Sequence, residues 1–417
     1  MKKLIIHGGE YLSGTIHISG AKNSAVALVP ASLLSDDEII IDNIPNITDI
    51  DALDEILTYL GATIERIDSR MVIKSKNIEN KEIPENISKK LRASYYFMGA
   101  LLGKYKKVEM YFPGGCAIGK RPIDQHLKAF EALGAKIQIE GNKYRIEAQE
   151  LIGNDIYLDC ASVGATINAM LASVKAIGKT KIHNAAKEPE IVNVATLLNN
   201  MGAAIEGAGT SEISIQGVEK LGKAYIEVIP DRIEAGTYMI LGALVGNPLT
   251  IDNMIPNHVE SLISKLKEMG VQYELNQNSI TIWHANEISP THVTTAVYPG
   301  FPTDLQQPVT TLLAFSNGIS KITETIYENR FQNVEYLNKM GANIKIIDDT
   351  LEIKGVPCLY GNTVKATDLR AGACLFLAGL KAHGTTEIEN VEYVLRGYEN
   401  IIQKLSQVGA KIELQEI

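Results

Sequence analysis

The chain has 417 residues, 45% of them apolar and 21% charged, with 40 Lys and Arg against 49 Asp and Glu, a net charge of −9. That length exceeds one ordinary hydrophobic core, so two domains are expected, and an acidic chain without a basic run or a basic patch interleaved with aromatics speaks against a nucleic-acid partner. Four cysteines without paired or zinc-ligand spacing, a Met1-Lys2-Lys3-Leu4 start that is neither signal peptide nor anchor, and the lack of an apolar run of spanning length point to a cytoplasmic protein with reduced thiols and no membrane partner.

In chain order, the first elements set a pattern. Residues 14–19 alternate as a strand, and residues 25–34 are apolar almost all round, as in a buried helix. Ile39-Ile40-Ile41 is a short strand. Ile50, Leu53, Ile56, Leu57 and Leu60 share one face of an amphipathic helix that Gly61 stops as a left-handed cap. Residues 63–66 and 71–74 then form a hairpin around Asp68-Ser69. This strand-helix-strand-helix-hairpin unit recurs six times, about every seventy residues, with the helix-ending glycine at Gly61, Gly134, Gly202, Gly270, Gly341 and Gly409. Earlier in each unit, where a strand hands over to the small-residue helix, stand Lys22, Arg92, Ser162, Arg232, Asp304 and Arg370. Six helix N-termini, each presenting unpaired backbone N–H groups, favour anions.

The last unit ends after one strand, residues 411–414. The N-terminal residues 3–14 resemble the hairpin strands around Gly355 and Gly217, so the N-terminus is expected to complete that unit. Three units per domain then give one domain over residues 22–230 and a second, discontinuous one over residues 1–21 plus 231–417. The chain crosses between them near Lys22 and near Asp231-Arg232, and hinges of that kind permit closure. Buried small-residue helices place helices inside and sheets outside: an α/β fold of two inside-out barrels, or prisms.

The second unit carries Pro113-Gly114-Gly115-Cys116-Ala117-Ile118-Gly119-Lys120-Arg121-Pro122 where the others have short turns. Glycine and proline make this an exposed loop. Cations beside Cys116 lower a thiol pKa, so it is either an incidental surface thiol or a reacting one. Cys160, Cys358 and Cys374 read as structural. Lys22, Arg92, Lys120, Arg121, Arg232, Arg370 and Arg396, the last expected at the start of the final helix, are either ordinary surface charge or a cationic cleft for a small polyanion. Asp304, the one acidic member of the six turns, is either their salt-bridge partner or a general base.

These residues, in Ser19-Gly20-Ala21-Lys22-Asn23-Ser24, the Cys116 loop with its Arg121-Pro122-Ile123-Asp124-Gln125-His126 continuation, Ser162-Val163-Gly164, Glu188-Pro189-Glu190, Phe301-Pro302-Thr303-Asp304, residues 323–331, Ala366-Thr367-Asp368-Leu369-Arg370 and Arg396-Gly397-Tyr398-Glu399, resemble the UDP-N-acetylglucosamine 1-carboxyvinyltransferase family. The resemblance covers essentially the whole chain. It implies transfer of the enolpyruvyl group of phosphoenolpyruvate to the 3-hydroxyl of UDP-N-acetylglucosamine in peptidoglycan synthesis, by a monomer without metal or organic cofactor. It further implies that Cys116 protonates phosphoenolpyruvate and forms an adduct with it, and that Asp304 is the base. Lys22, Arg121 and Arg396 would hold phosphoenolpyruvate, and Asn23 the reacting hydroxyl. Arg92, Arg121, Pro122, Ile123, Asp124, Gln125, Ser162, Val163, Gly164 and Ile326 would line the sugar-nucleotide site, with Asp368, Leu369 and Arg370 closing its far wall. A basic residue is unusual in the family at Lys120, which therefore receives no role, and a cysteine at Cys116 rather than aspartate implies alkylation by fosfomycin. The rival readings are an enzyme acting on shikimate 3-phosphate, a non-catalytic UDP-sugar-binding regulator, and an RNA-end-processing enzyme, which the acidic charge disfavours.

Overall fold

A computed structural model describes residues 2–112 and 123–416; residues 113–122, which include Cys116, Lys120, Arg121 and Pro122, lie outside the described residues. The chain falls into two units. The first comprises residues 20–112 and 123–229, and the second comprises residues up to Ser19 together with those from Pro230 onward.

Each unit is built around three helices that are buried on almost every side. In the first unit these are Lys22–Ala31, Tyr96–Tyr105 and Val163–Ser173, with the middle one packed against both others. In the second they are Arg232–Val245, Gln306–Leu313 and Leu369–Lys381, each touching the other two. Around each trio stand three sheets among the described residues. The strands bury alternate side chains: in Arg70–Lys74, Met71 and Ile73 point to the core while Arg70 and Lys74 are exposed. Amphipathic helices such as Thr48–Leu60 cover the remaining gaps with one apolar face. No helix among the described residues is long and apolar enough to cross a membrane.

The sheets repeat one order: a short edge strand, a parallel neighbour, then the antiparallel hairpin. Lys2–His7 pairs antiparallel with both Lys411–Glu416 and Thr385–Glu389, so the N-terminus does complete the sixth repeat. One assignment needs correction. The strand Leu12–His17, read as the opening of repeat one, pairs in parallel with Gly246–Asp252 of repeat four, while Ala224–Glu227, which precedes repeat four, pairs with Glu38–Asp42 of repeat one. Both edge strands show the same two-residue alternation, so periodicity alone could not tell the partners apart. In repeat two the edge strand shrinks to a single bridge from Ile83 to Met110.

Two local devices repeat with the fold. The six helix-ending glycines all adopt positive φ, between 83° and 104°, which closes each amphipathic helix with a left-handed residue. In four repeats an asparagine follows the inner sheet strand, also left-handed (φ 55° to 57°), at Asn43, Asn184, Asn253 and Asn390. Each donates its amide Nδ2–H to the carbonyl at the end of the neighbouring edge strand: Val228, Leu158, Ile18 and Ala366. This pins the edge strand just before it delivers the next inner helix.

Candidate functional site

The six matched positions all fall at the N-terminal ends of the inner helices. Lys22 and Arg232 are first helical residues, Ser162 is an N-cap, Arg370 lies in the first turn behind the cap Asp368, and Arg92 and Asp304 sit in single 3₁₀ turns that run into their helices.

In the second unit the focus is Asp304. Pro302 leads into the Thr303–Leu305 turn, and the Asp304 carboxylate, about a quarter exposed, is gripped from two sides. Arg330 donates from Nη2 to Oδ1 at 2.6 Å, and Arg370 donates from Nη2 to Oδ2 at 3.0 Å. Both guanidinium groups are buried. Arg330 also donates to Thr303 Oγ1 at 2.7 Å, and that hydroxyl donates to Glu324 Oε2 at 2.8 Å. Glu324 in turn accepts the N–H groups of Ile326 and Tyr327, shaping the turn that carries Ile326. Burial is the largest single influence on Arg370 and works against its charge, but the Asp304 carboxylate, Tyr398 and Asp231 together outweigh it and hold the guanidinium above its ordinary range. A carboxylate between two guanidinium ions is the ionised, acceptor-only form. It can accept a hydroxyl proton from the partly open side.

Asp368 and Arg370 brace the start of the Leu369–Lys381 helix. Asp368 is buried and accepts the N–H groups of Arg370 and Ala371 at 2.7 and 3.0 Å as the cap of its helix. Leu369 packs beneath Gly397, where an added Cβ would come within 2.6 Å of it. Arg396 follows the short helix Glu392–Leu395, five residues ahead of the last helix, Ile401–Gln407, rather than beginning it. The reason is the turn itself: Gly397 seats on Leu369, and Tyr398 is buried with its hydroxyl 2.9 Å from Thr237 Oγ1, so the chain cannot continue as helix.

In the first unit Lys22 forms an ion pair with buried Asp49 at 2.6 Å, and Asn23 follows it, half-buried. A second cluster gathers the sugar-nucleotide candidates. Ile123 caps the helix Asp124–Ala132. Gln125 donates from Nε2 to Asp124 and Asp159 and accepts the Asp159 N–H, tying this helix to the loop ahead of Ser162. The Ser162 hydroxyl accepts the N–H of Ala165 at 3.3 Å, and Val163 and Gly164 occupy the first turn, whose amides have no partner within the helix. Behind them lies His126, buried, its Nδ1 accepting from Asn168 Nδ2 at 2.8 Å, which leaves the proton on Nε2. Burial, then the Arg92 cation, push the ring down to about 3, with Asp124 opposing, so it stays neutral. Gly164 is required by this packing: a Cβ there would meet His126 Cε1 at 2.8 Å and Tyr95 Oη at 2.9 Å.

Sequence reasoning missed four of these groups: Asp49, Glu324, Arg330 and His126. The last three lie within the stretches that carry the family resemblance, but their roles depend on contacts across repeats. The thiols also divide differently. Cys374 is buried, its thiol pushed up to about 11 by burial, whereas Cys160 is exposed and not a core residue. Its thiol is nevertheless raised, first by partial burial and then by Asp124 and Asp159. Among the described residues no three His, Cys, Asp or Glu side chains gather as metal ligands. A cavity of about 480 Å³ in the second unit opens at the C-terminal ends of the inner helices, near Leu244, Phe315, Lys354 and Lys381, and includes none of the predicted site residues.

A family model described as EPSP synthase (3-phosphoshikimate 1-carboxyvinyltransferase) matches residues 6–405. The chain is 52% identical over 413 residues to UDP-N-acetylglucosamine 1-carboxyvinyltransferase 2 of Bacillus cereus (strain ZK / E33L), covering 99% of this chain and 96% of that protein. To the Listeria monocytogenes serovar 1/2a protein of the same name it is 52% identical over 410 residues, covering 98% and 97%. Among solved structures it is similar to the enolpyruvyl transferase NikO from Streptomyces tendae, with a TM-score of 0.89, 26% identity and 99% of each chain covered.

Proposed function

We propose, from the premise that the chain belongs to the EPSP synthase family and stands within it among the UDP-N-acetylglucosamine 1-carboxyvinyltransferases, that it transfers the enolpyruvyl group of phosphoenolpyruvate to the 3-hydroxyl of UDP-N-acetylglucosamine and releases phosphate. The observation that carries this reading is identity of 52% over nearly the full length of relatives so named. It favours the sugar nucleotide over shikimate 3-phosphate, the substrate in the family's description.

In this reading Asp304 takes the proton of the sugar 3-hydroxyl as its oxygen adds to C2 of phosphoenolpyruvate, and Cys116 supplies a proton to C3. The tetrahedral ketal then loses phosphate from C2 and a proton from C3, restoring the double bond. The clamp by Arg330 and Arg370 supports Asp304 as base, because it fixes the carboxylate's direction and keeps it ionised. Lys22, Arg121 and Arg396 hold the phosphate and carboxylate of phosphoenolpyruvate and offset its changing charge, and Asn23 orients the hydroxyl. Arg92, Ile123 to Gln125, Ser162 to Gly164 and Ile326 seat the sugar nucleotide, with the diphosphate at the N-terminus of the Val163–Ser173 helix. Neutral His126 supports that helix end without adding charge of its own. The enzyme works as a cytoplasmic monomer, commits sugar nucleotide to peptidoglycan, and so serves cell-wall growth, cell shape and division. Fosfomycin alkylates it at Cys116.

The test is phosphate release from phosphoenolpyruvate with UDP-N-acetylglucosamine, beside shikimate 3-phosphate as control. Cys116→Ala is expected to bind the sugar nucleotide and not turn over. Release with shikimate 3-phosphate alone, or full turnover by Cys116→Ala, defeats the substrate or the acid assignment respectively.

A further inference from the structure

Ser19 is the last residue of the second unit before the chain enters the first, and it lies three residues ahead of Lys22. All of its polar groups are bound within the second unit. Its N–H donates to Glu234 Oε2 at 2.8 Å and its carbonyl accepts the Asp231 N–H at 2.9 Å. Its hydroxyl donates to Glu399 Oε2 and accepts from Lys404 Nζ at 2.7 Å. Lys404 closes the circuit by donating to Glu234 Oε1 at 2.7 Å. Glu234 is buried, and the Lys404 side chain keeps 13% of its exposure.

Such a cluster is a poor way to gain stability. Removing an ammonium and a carboxylate from water is costly, and an apolar pair of like volume would serve the core as well. What the cluster does supply is direction. Ser19 leads through Gly20-Ala21 to Lys22, and Glu399 lies three residues past Arg396. The turn between Arg396 and Glu399 is itself seated, by Gly397 on Leu369 and by Tyr398 on Thr237. Asp231, whose N–H meets Ser19, also caps the helix that carries Arg232 and Glu234, accepting from Ile233 and Glu234. One lysine therefore ties together the outgoing crossing, the turn that carries Arg396 and, through Glu234, the helix that begins at the return crossing.

We propose that Lys404, with Glu234 and Glu399, is a positioning group for the transfer reaction, holding the start of the crossing segment that leads to Lys22 and the 396–399 turn that carries Arg396. This rests on the function proposed above, in which both cations hold phosphoenolpyruvate. Neither Lys404 nor Glu234 touches substrate in it.

The test uses the full chain with Lys404→Met and Glu234→Gln combined, which removes both charges together and leaves no uncompensated buried ion. Turnover is expected to fall by about tenfold to a hundredfold with a rise in KM for phosphoenolpyruvate, while the Kd for UDP-N-acetylglucosamine, measured by calorimetry, stays within about twofold. Wild-type rates and KM values in the double variant overturn the proposal. So does a matched loss of phosphoenolpyruvate and sugar-nucleotide binding, which signals general damage. Should the double variant not fold, Glu399→Gln, which keeps the acceptor and removes the charge, is expected to raise KM for phosphoenolpyruvate about threefold, and an unchanged KM counts against the proposal. A wild-type protein that releases no phosphate defeats the function instead, so the two failures are distinct.

Discussion

His126 gives the most direct physical test of the first unit. The ring is buried against Tyr95 and Gly164, and its Nδ1 is occupied by Asn168, so the folded protein resists protonating it until about 3, against 6.5 for a free ring. The unfolded chain accepts the proton at 6.5. Stability from the neutral ring is therefore complete above pH 6.5 and is lost as pH falls, until the folded ring itself titrates near 3. Each pH unit in that window removes about 1.4 kcal/mol, so the loss from this group alone reaches about 2 kcal/mol at about pH 5. His126→Asn retains an acceptor in the place of Nδ1 and cannot titrate. Protection of the Val163–Ser173 amides, followed by hydrogen exchange and mass spectrometry and corrected for intrinsic rates, measures the opening free energy of the helix that carries Asn168. Fluorescence does not serve, because the single tryptophan, Trp283, lies in the other unit. Between about pH 7.5 and about pH 5 the wild type is expected to lose about 2 kcal/mol more than the His126→Asn protein. Equal losses refute the buried, neutral histidine.

Asp304→Asn keeps the shape of the clamp and removes the base; turnover should drop by about a hundredfold or more with UDP-N-acetylglucosamine binding intact, and an unchanged rate removes Asp304 from the mechanism. Arg330→Met leaves Thr303 and Asp304 without this buried donor and should cost about 3 kcal/mol in a denaturant titration followed by Trp283; a loss below about 1 kcal/mol contradicts the clamp. Gly164→Ala forces a methyl against His126 and Tyr95, so the first unit should lose about 1 to 3 kcal/mol and calorimetry should show weaker sugar-nucleotide binding; wild-type values for both would mean the helix end is not close-packed. At about pH 8 a thiol reagent should modify Cys160 in the native protein and reach Cys374 only after unfolding, and peptide mapping that finds Cys374 labelled at the rate of Cys160 rejects its burial.

What could be read without coordinates is the part that local chemistry dictates. The small-residue helices are buried because they carry few charged side chains, the glycines end helices because they enter positive φ most cheaply, and a two-residue period marks strand faces. Those rules place Lys22, Arg92, Ser162, Arg232, Asp304 and Arg370 at matching turns, and through the missing strand of the sixth repeat they place the N-terminus in the last sheet. Tertiary structure decided which equivalent partner each element took. Leu12–His17 and Ala224–Glu227 exchange sheets because parallel edge strands of equal period are interchangeable until the whole chain is threaded. Arg370 serves Asp304 from 66 residues away, Lys404 serves Ser19 from 385 away, and Asp49 pairs with Lys22 from another helix. A charged residue shows its type in the sequence, but whether it meets solvent, substrate or an opposite charge depends on which surfaces folding brings within a few ångströms of it, and that is a property of the packed repeats together.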